Sequence, residues 1–563
     1  MKMRGRMRYL LNLTLALFFF LQAHAGVSSV NNAYLGSREN DPESIIENVS
    51  MIHGNYSDYE IDLVVPGPDS LVLSRFYSSE NPLLGGASLG GWRFHPHCFL
   101  SIQKEALAKT YTTAEGKFDY THILIGTNEG SILTYAGWKN TTNPDARSLF
   151  KVDVEGSLLG LANTARGNIN AWTNQKNNQL YFDAQSNCYE LLLSSGGKRL
   201  YAPSSSTSDL YFLQIETLPS GNKIFYEYEG GALSQIKMTN AQEEKVLSWI
   251  RIQYGPVIHI DASDGKTVDY HFQQDLPLLS EVIRSDKPAL KYQYRIVDDH
   301  PLLIKKDLPE GRFVQVDYYT DEENKNKVES VTTPAGISGM TSTRFTYTTA
   351  EDGSGFTQVD GPLTRKAIYR FDDQLQLTAT EQYLSGGLYR VHKKTWSKRQ
   401  DAGNLITTSV EDGGGAAYYF KRFAYDDSGN IVEEKEYGNL TGTHSQPLSL
   451  DEEGVPNPSQ ESHAKTYSYR TVKGLDIVSQ KDPKGSSVKL FYKKGTGILL
   501  KKLLLEKKEI KKRWFYHYND DGAIIQTVVD DGDEEDFESA YYIRERHIRT
   551  INAVNLSINT PAA

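Results

Sequence analysis

The sequence predicts an all-β chain in which β-hairpins add edge to edge into one long twisted sheet, and accumulated twist coils that sheet into a shell-like superhelix. Three observations predict it. Aromatic residues recur in pairs at i and i+2. Each pair is followed by an acidic turn with Gly, and an apolar run follows the turn. The pattern is cleanest at Phe423-Ala424-Tyr425-Asp426-Asp427-Ser428-Gly429-Asn430-Ile431-Val432 and recurs at Tyr516-His517-Tyr518-Asn519-Asp520-Asp521-Gly522-Ala523-Ile524-Ile525. A looser copy is Tyr226-Glu227-Tyr228-Glu229-Gly230-Gly231-Ala232-Leu233.

Residues two apart on a strand point to the same face, so each pair sets two rings side by side. The residue between them faces the other way and is usually polar, as at Glu227, His271, Gln293, Thr346, Arg370, Ser468 and His517. Asp, Asn and Gly after the pair favour a tight turn, because Gly takes positive φ without steric cost. The apolar run is then the returning strand, and each unit is a hairpin.

The second aromatics fall at Tyr228, Tyr254, Phe272, Tyr294, Tyr319, Tyr347, Phe371, Trp396, Tyr425, Tyr469, Tyr492 and Tyr518. Gaps between them run from 18 to 29, apart from one of 44. The long gap holds Gln446-Pro447-Leu448 to Pro456-Asn457-Pro458 and reads as an insertion loop. Tyr254 and Trp396 lack a true aromatic partner two residues earlier. A period near 25 sustained over most of a chain is a repeat architecture. One hairpin cannot bury its aromatic face alone, whereas stacked neighbours can.

The unit of aromatic-x-aromatic, Asp, Gly and apolar run resembles the YD repeat of the Rhs family, found in bacterial polymorphic-toxin proteins and related metazoan shells. The segment Asp62-Leu63-Val64-Val65-Pro66-Gly67-Pro68, then Leu71-Val72-Leu73-Ser74-Arg75-Phe76-Tyr77-Ser78-Ser79 and Leu89-Gly90-Gly91-Trp92, is similar to the stretch that opens many Rhs proteins. The resemblance spans roughly residues 58–532. It implies a shell of YD-repeat hairpins with the opening segment sealing one end. In Rhs toxins the repeats lead to a core with an Asp-Pro-rich self-cleavage motif and then a variable toxin. Asp482-Pro483-Lys484-Gly485 reads only as a turn within a repeat, so no protease or toxin residue carries over.

Residues 1–25 read as a secretory signal peptide. Lys2, Arg4, Arg6 and Arg8 precede an apolar run from Leu10 to Leu21, and Ala23-His24-Ala25 supplies a small-x-small cleavage site. The run falls short of the roughly 20 residues of a spanning helix. The mature chain is therefore expected outside the inner membrane, in the bacterial periplasm, secreted or at the cell surface, with no transmembrane span. Residues 26–57 read as a polar, loosely held segment, and 58–105 as the opening module. Pro66-Gly67-Pro68 ends its first strand, because Pro has no donor for the ladder. Residues 106–215 read as β-rich but out of register with the repeat, with strands around Ile123, Ile132, Leu180 and Leu191. Residues 216–535 are the repeat sheet, and 536–563 a tail. Ile498 to Arg513 fits a basic amphipathic helix, but it lies between copies 26 residues apart, which favours two strands and a Lys-rich turn.

Net charge is −10, and the four basic residues of the leader stand without an acid, so the remainder is more acidic still. That argues against nucleic acid or an anionic membrane as the main partner. Of the aromatics 35 are Tyr and 27 are Phe or Trp, which suits a thin sheet, since a packed Tyr ring can keep its hydroxyl on water or a backbone group. With only Cys98 and Cys188, a disulfide-dense framework is excluded. Whether the two pair is left open by their spacing.

No catalytic, cofactor-binding or metal-ligating residue is assigned. His95-Pro96-His97 near Cys98 lacks a third and fourth ligand at metal spacing. The carboxylate pairs Asp298-Asp299, Glu322-Glu323 and Asp530-Asp531 read as turn residues serving the backbone. Ser204 to Ser208 has no nucleophile elbow, and Gly353-Ser354-Gly355 lies in a hairpin-type turn. The chain reads as an exported, non-enzymatic shell, or the N-terminal part of one, that encloses or presents a cargo or toxin polypeptide. The alternative is a surface module that binds cell-surface glycans or protein through exposed rings. An enzyme on a β-propeller fits less well, because blades of about 40–50 residues are roughly twice this period.

Overall fold

The computed structural model describes residues 44–79, 91–94, 99–103, 110–113, 116–126, 132–140, 147–152, 179–193, 197–204 and, apart from short connections, 209–550. The leader expected at 1–25, most of the segment 26–57, the residues His95 to Cys98 and the end of the tail lie outside them. The described residues are almost all β-strand, joined by turns and a short 3-10 turn at Pro309–Gly311. No helix among them is long and apolar enough to cross a membrane, which says nothing of crossing by strands.

Residues 99–217 make the start of the sheet. The strand Leu210–Thr217 forks there: Leu210–Phe212 pair back onto Phe99–Ser101, while Ile215–Thr217 pair onward to Lys223–Phe225. Because Phe99–Gln103 also pairs with Gly116–Gly126, eight strands from Phe99–Gln103 to Leu210–Thr217 form a closed ring. From Lys223–Glu229 to Arg546–Thr550 the sheet continues as 25 antiparallel strands that do not close into a barrel. The Lys-rich stretch is two strands, Leu499–Glu506 and Glu509–Tyr518, turning at Lys507 and Lys508, both with positive φ. Such a two-residue turn matches strand twist.

The repeat motif has a geometric cause. A register shift falls just before the second aromatic at Tyr228, Phe272, Tyr294, Tyr318, Phe371, Trp396, Tyr425, Tyr469, Tyr492 and Tyr518. A bulge re-aims the side chain and adds local twist. Phe272 and Phe371 have no polar tip, but at Tyr228, Tyr318, Trp396, Tyr425 and Tyr518 the tip donates to a carbonyl in an earlier strand. Tyr228 reaches Leu213 at 2.9 Å, Tyr318 reaches Leu303 at 2.9 Å, Tyr425 reaches Leu405 at 2.7 Å and Tyr518 reaches Leu499 at 2.8 Å. Trp396 does the same through its indole N–H to Leu377 at 2.9 Å, and Tyr254 through its hydroxyl to Leu233 at 3.0 Å. One expected position is corrected: Tyr318, not Tyr319, is the second aromatic of its unit. The Tyr319 hydroxyl turns forward to the Phe345 carbonyl at 2.8 Å.

Tyr347 OH donates to the Val328 carbonyl at 2.8 Å, and both residues are buried. Tyr347→Phe leaves that carbonyl short of a partner, so a loss of about 1 kcal/mol in unfolding free energy is expected, within the range for a buried bond. Urea unfolding checks it; an unchanged midpoint would mean the hydroxyl is incidental.

Residues facing each other across an antiparallel ladder lie on one side of the sheet. One face can thus be followed from Tyr226 through Ile236 and Ile250, and from Tyr270 through Val282 and Leu290. All of these are buried. The same face runs on through Thr357, Tyr369, Thr380, His392, Val410 and Tyr419, and through Lys421, Glu436 and His463. His392, Tyr419, Lys421, Glu436 and His463 are only half-buried, and the main apolar cluster ends at Leu377. What fills the first part of this face is the opening module.

Candidate functional site

The opening module is a three-stranded sheet, Ser57–Val65, Leu71–Ser78 and Trp92–Phe94. It includes more than expected. Residues 44–57 are not loose: Val49, Met51, Ile52 and Tyr56 are buried in it, and the Met51 carbonyl accepts from Thr357 Oγ1 of the repeat sheet at 2.5 Å. The polar composition of 26–57 hid four apolar anchors at its end. Gly54, at φ 76°, accepts from Val328 N–H on its carbonyl at 2.7 Å, and a Cβ there would stand 2.9 Å from Lys327 and the Tyr347 ring. Only glycine takes both the φ and the space.

Alternation on the strand Ser57–Val65 puts Asp58, Glu60 and Asp62 on one face and exposes Tyr59 and Ile61 on the other. Three cations meet the three acids. Lys306 Nζ lies 2.6 Å from Asp58 Oδ2 and also bonds Glu60. Arg75 Nε lies 2.6 Å from Asp62 Oδ2, and Arg284 Nη1 is 3.9 Å from both Glu60 and Asp62. The side chains of Arg75 and Asp62 are wholly buried. A buried charge must be paired and hydrogen-bonded to be tolerated, and this cluster is formally neutral.

Aromatic residues enclose the cluster. The Arg75 guanidinium stands 4.1 Å from the Trp92 ring centre and 5.0 Å from that of Tyr292, and donates to the Tyr292 hydroxyl. The Tyr270 hydroxyl donates to Asp62 Oδ2 at 2.7 Å. Trp92 Nε1 donates to Tyr294 OH at 2.9 Å, while Tyr77 OH accepts from Leu303 N–H at 2.7 Å. Tyr270, Tyr292 and Tyr294 are repeat aromatics, so the motif that builds the sheet also grips the module.

Residues 47–118 match a family model described as a domain of unknown function, DUF6531. That is the opening module and the first strands of the ring. No curated protein matches the chain by sequence. Among solved structures, a TcdB2-TccC3-Cdc42 crystal structure aligns with 84% of this chain and 29% of its own at 9% identity, with a TM-score of 0.35. A TcdB2-TccC3-TEV structure aligns with 90% of this chain and 32% of its own at 11% identity, with a TM-score of 0.26. The N-terminal domain of the effector protein SpvB from Salmonella typhimurium strain LT2 aligns over its full length with 49% of this chain at 12% identity, with a TM-score of 0.16. This chain spans about a third of the length of the first two. At these scores none of the three establishes a shared fold.

The residues singled out by sequence fall elsewhere. Asp298 sits in a turn, 2.6 Å from Lys325, and Glu322 and Glu323 are exposed in another. Asp530 is a correction: it ends the strand Ile524–Asp530 and is buried against Arg513 and Arg546 rather than standing in a turn. Gly353 turns a hairpin at φ 87°. Ser204 bonds Leu210 through the backbone, and Ser205 to Ser208 lie outside the described residues, as do Asp299 and Asp482 to Lys484. Cys188 is a half-buried free thiol whose Sγ lies 3.3 Å from the Ser186 carbonyl; its thiol pKa is pushed up by burial. No group of three or more His, Cys, Asp or Glu able to hold a metal occurs among the described residues. In the module cluster every carboxylate faces a cation, so the arrangement anchors the module to the repeat sheet.

Titration gives the anchor a pH signature. Burial pushes the Glu60 carboxyl up, but Lys306, then Arg75 and Arg284, outweigh it and hold its pKa below the usual range. Burial pushes Lys306 down, but Asp58 and Glu60 outweigh it, and its pKa is raised. A depressed acid contributes stability above its unfolded pKa, about 4.3, which is lost as pH falls through the folded value. A raised Lys contributes fully below about 10.4 and loses it as pH rises through its folded value. Docking of the module is therefore expected to be flat between these limits and to weaken in acid. Hydrogen exchange across residues 57–78 from neutral to acid pH checks it. Glu60→Gln should flatten part of the acid slope; parallel slopes in the two proteins would assign the effect elsewhere.

Proposed function

We propose that this chain is an exported, non-enzymatic YD-repeat shell, or the N-terminal part of one, that holds a cargo polypeptide against the face on which the opening module sits. The observation that carries the reading is the division of that face. Its first part is filled by the module, and the same face continues past Leu377 half-covered. A sealed end followed by a wall that the described residues only half cover is what a container needs. The Rhs resemblance supports the same reading and makes a toxin polypeptide the natural cargo. Export would follow from residues 1–25.

The glycan-binding alternative needs rows of solvent-exposed repeat rings. Tyr226, Tyr270, Tyr292, Tyr318 and Tyr347 are instead buried, which favours the shell. The test is to isolate the full chain from the exported fraction of its producing cells, treat it with protease and sequence what survives. The shell reading expects a second polypeptide protected only while the chain is folded. Protection of the chain's own strands alone, with glycan array binding, would overturn it.

A further inference from the structure

Three segments far apart in sequence meet at one buried side chain, Asn222. Its Nδ2 donates to Asp69 Oδ2 of the opening module at 2.8 Å and to the Asp521 carbonyl at 2.8 Å. Ser220 Oγ donates to the same Asp69 oxygen at 2.5 Å. Lys245 Nζ lies 2.5 Å from Asp521 Oδ2. The approach is close: Gly522 has φ 82°, and a Cβ there would stand 3.3 Å from both Asn222 Nδ2 and Ser220 Cβ. The sheet therefore returns on itself, bringing the hairpin tip 519–523 against the tips at 218–222 and 240–245, some 300 residues earlier.

The bonds at this seam differ from those elsewhere. Neighbouring strands are joined by backbone ladders, and no ladder joins Lys223–Glu229 to Glu509–Tyr518 among the described residues. The seam is side-chain bonds from Asn222 and an ion pair whose lysine is 44% exposed. Exposed pairs of this kind contribute at most about 1 kcal/mol, and regions of low local stability are where proteins open. We propose that the contact of Asp69, Asn222, Lys245 and Asp521 is the latch of the coil, and that the coil opens there to admit or release its contents. Asp69 makes the latch sensitive to the module, because the same Asn222 amide is braced by it. This rests on the shell reading for what passes through, but not for the opening itself.

The test uses the full chain carrying Asn222→Ala with Lys245→Ala. Loss of two hydrogen bonds and an ion pair should raise amide exchange at 218–222 and 519–523 by about tenfold or more, given about 1 kcal/mol per bond. Exchange within the strand Ser57–Val65 should stay as it was. A Lys245→Cys, Asp521→Cys pair joined through a cleavable bifunctional thiol reagent should suppress seam exchange below the parent level, and cleavage should raise it above that level, because the ion pair is gone. Unchanged exchange at both tips in the double alanine variant would overturn the proposal, as would opening of the whole sheet with the tips. A chain that protects no cargo but opens at the seam would count against the shell and not the latch.

Discussion

Asp62→Ala is expected to cost about 3–5 kcal/mol, the range for breaking a buried ion pair by removing one partner. The reason is what stays behind. Arg75 would keep its guanidinium wholly buried, with Trp92 and Tyr292 rings around it and no carboxylate to accept its N–H groups. Tyr270 would lose its acceptor as well. The strand Ser57–Val65 should then exchange freely, while strands beyond Leu377 keep their protection. Asp62→Asn keeps the shape and tests the charge alone, so a variant that fails to fold does not end the test. Replacing both partners by apolar residues, Asp62→Leu with Arg75→Met, should cost much less than either single change, because no charge is stranded. Single and double variants of equal cost would mean that packing, not charge, holds the module.

The architecture was legible because the aromatic period and the strand period are the same physical signal. A ring every second residue marks a face, and a turn cluster after it marks the return. Trp396 and Tyr254 looked like poor members by ring pairing, yet each donates to a backbone carbonyl as Tyr228, Tyr425 and Tyr518 do. The useful signal was a single ring placed just before the turn, carrying an N–H or O–H in every unit but those of Phe272 and Phe371. Tyr318 and Tyr319 could not be separated by spacing, since adjacent tyrosines point to opposite faces and only the bulge decides between them.

The module's anchor was hidden for a different reason. Asp58, Glu60 and Asp62 find Tyr270, Arg284 and Lys306, and Arg75 finds Tyr292, all more than two hundred residues away, and no local pattern names such partners. Half of the signal was present: three acids stand at i, i+2 and i+4 on one strand, and wherever such a face is buried it demands cations from somewhere. The latch at Asn222 had no signal at all, because it is made where the coil returns, and the pitch of a coil is not written in any one hairpin.

Arg513→Ala is expected to release the C-terminal end of the sheet at a similar cost, about 3–5 kcal/mol. Arg513 and Asp530 are both wholly buried and paired through two bonds, Nε to Oδ1 at 2.6 Å and Nη2 to Oδ2 at 3.1 Å. A fork of this kind is rigid and strong. Its remaining nitrogen donates to the carbonyls of Glu534 and Asp536 at 2.6 and 2.8 Å, which straps the acidic segment across the sheet. Phe537 then packs on Phe515, with ring centres 5.0 Å apart. Without Arg513, Asp530 keeps only Arg546 as a cation, and the strap loses its only two bonds to the guanidinium. Exchange should rise across 524–537 and 546–550 and stay unchanged at 57–78, because the two clusters share no partner. Arg513→Lys should rescue little, since a single ammonium cannot reproduce the fork. Gly532→Ala should mimic the loss, because a Cβ there overlaps the guanidinium. Burial pushes the Asp530 carboxyl up, but the bonds from Arg513, Gly532 and Arg546 outweigh it and hold its pKa low. Its contribution is present above the ordinary Asp value and fades as pH falls through the depressed one. Acid should therefore loosen the strap in the parent protein and have little left to loosen in Arg513→Ala. A variant whose strap stays protected at neutral pH would show that the Phe515–Phe537 contact and the pairs Lys489–Glu535 and Lys501–Asp536, not the arginine, tie the end down.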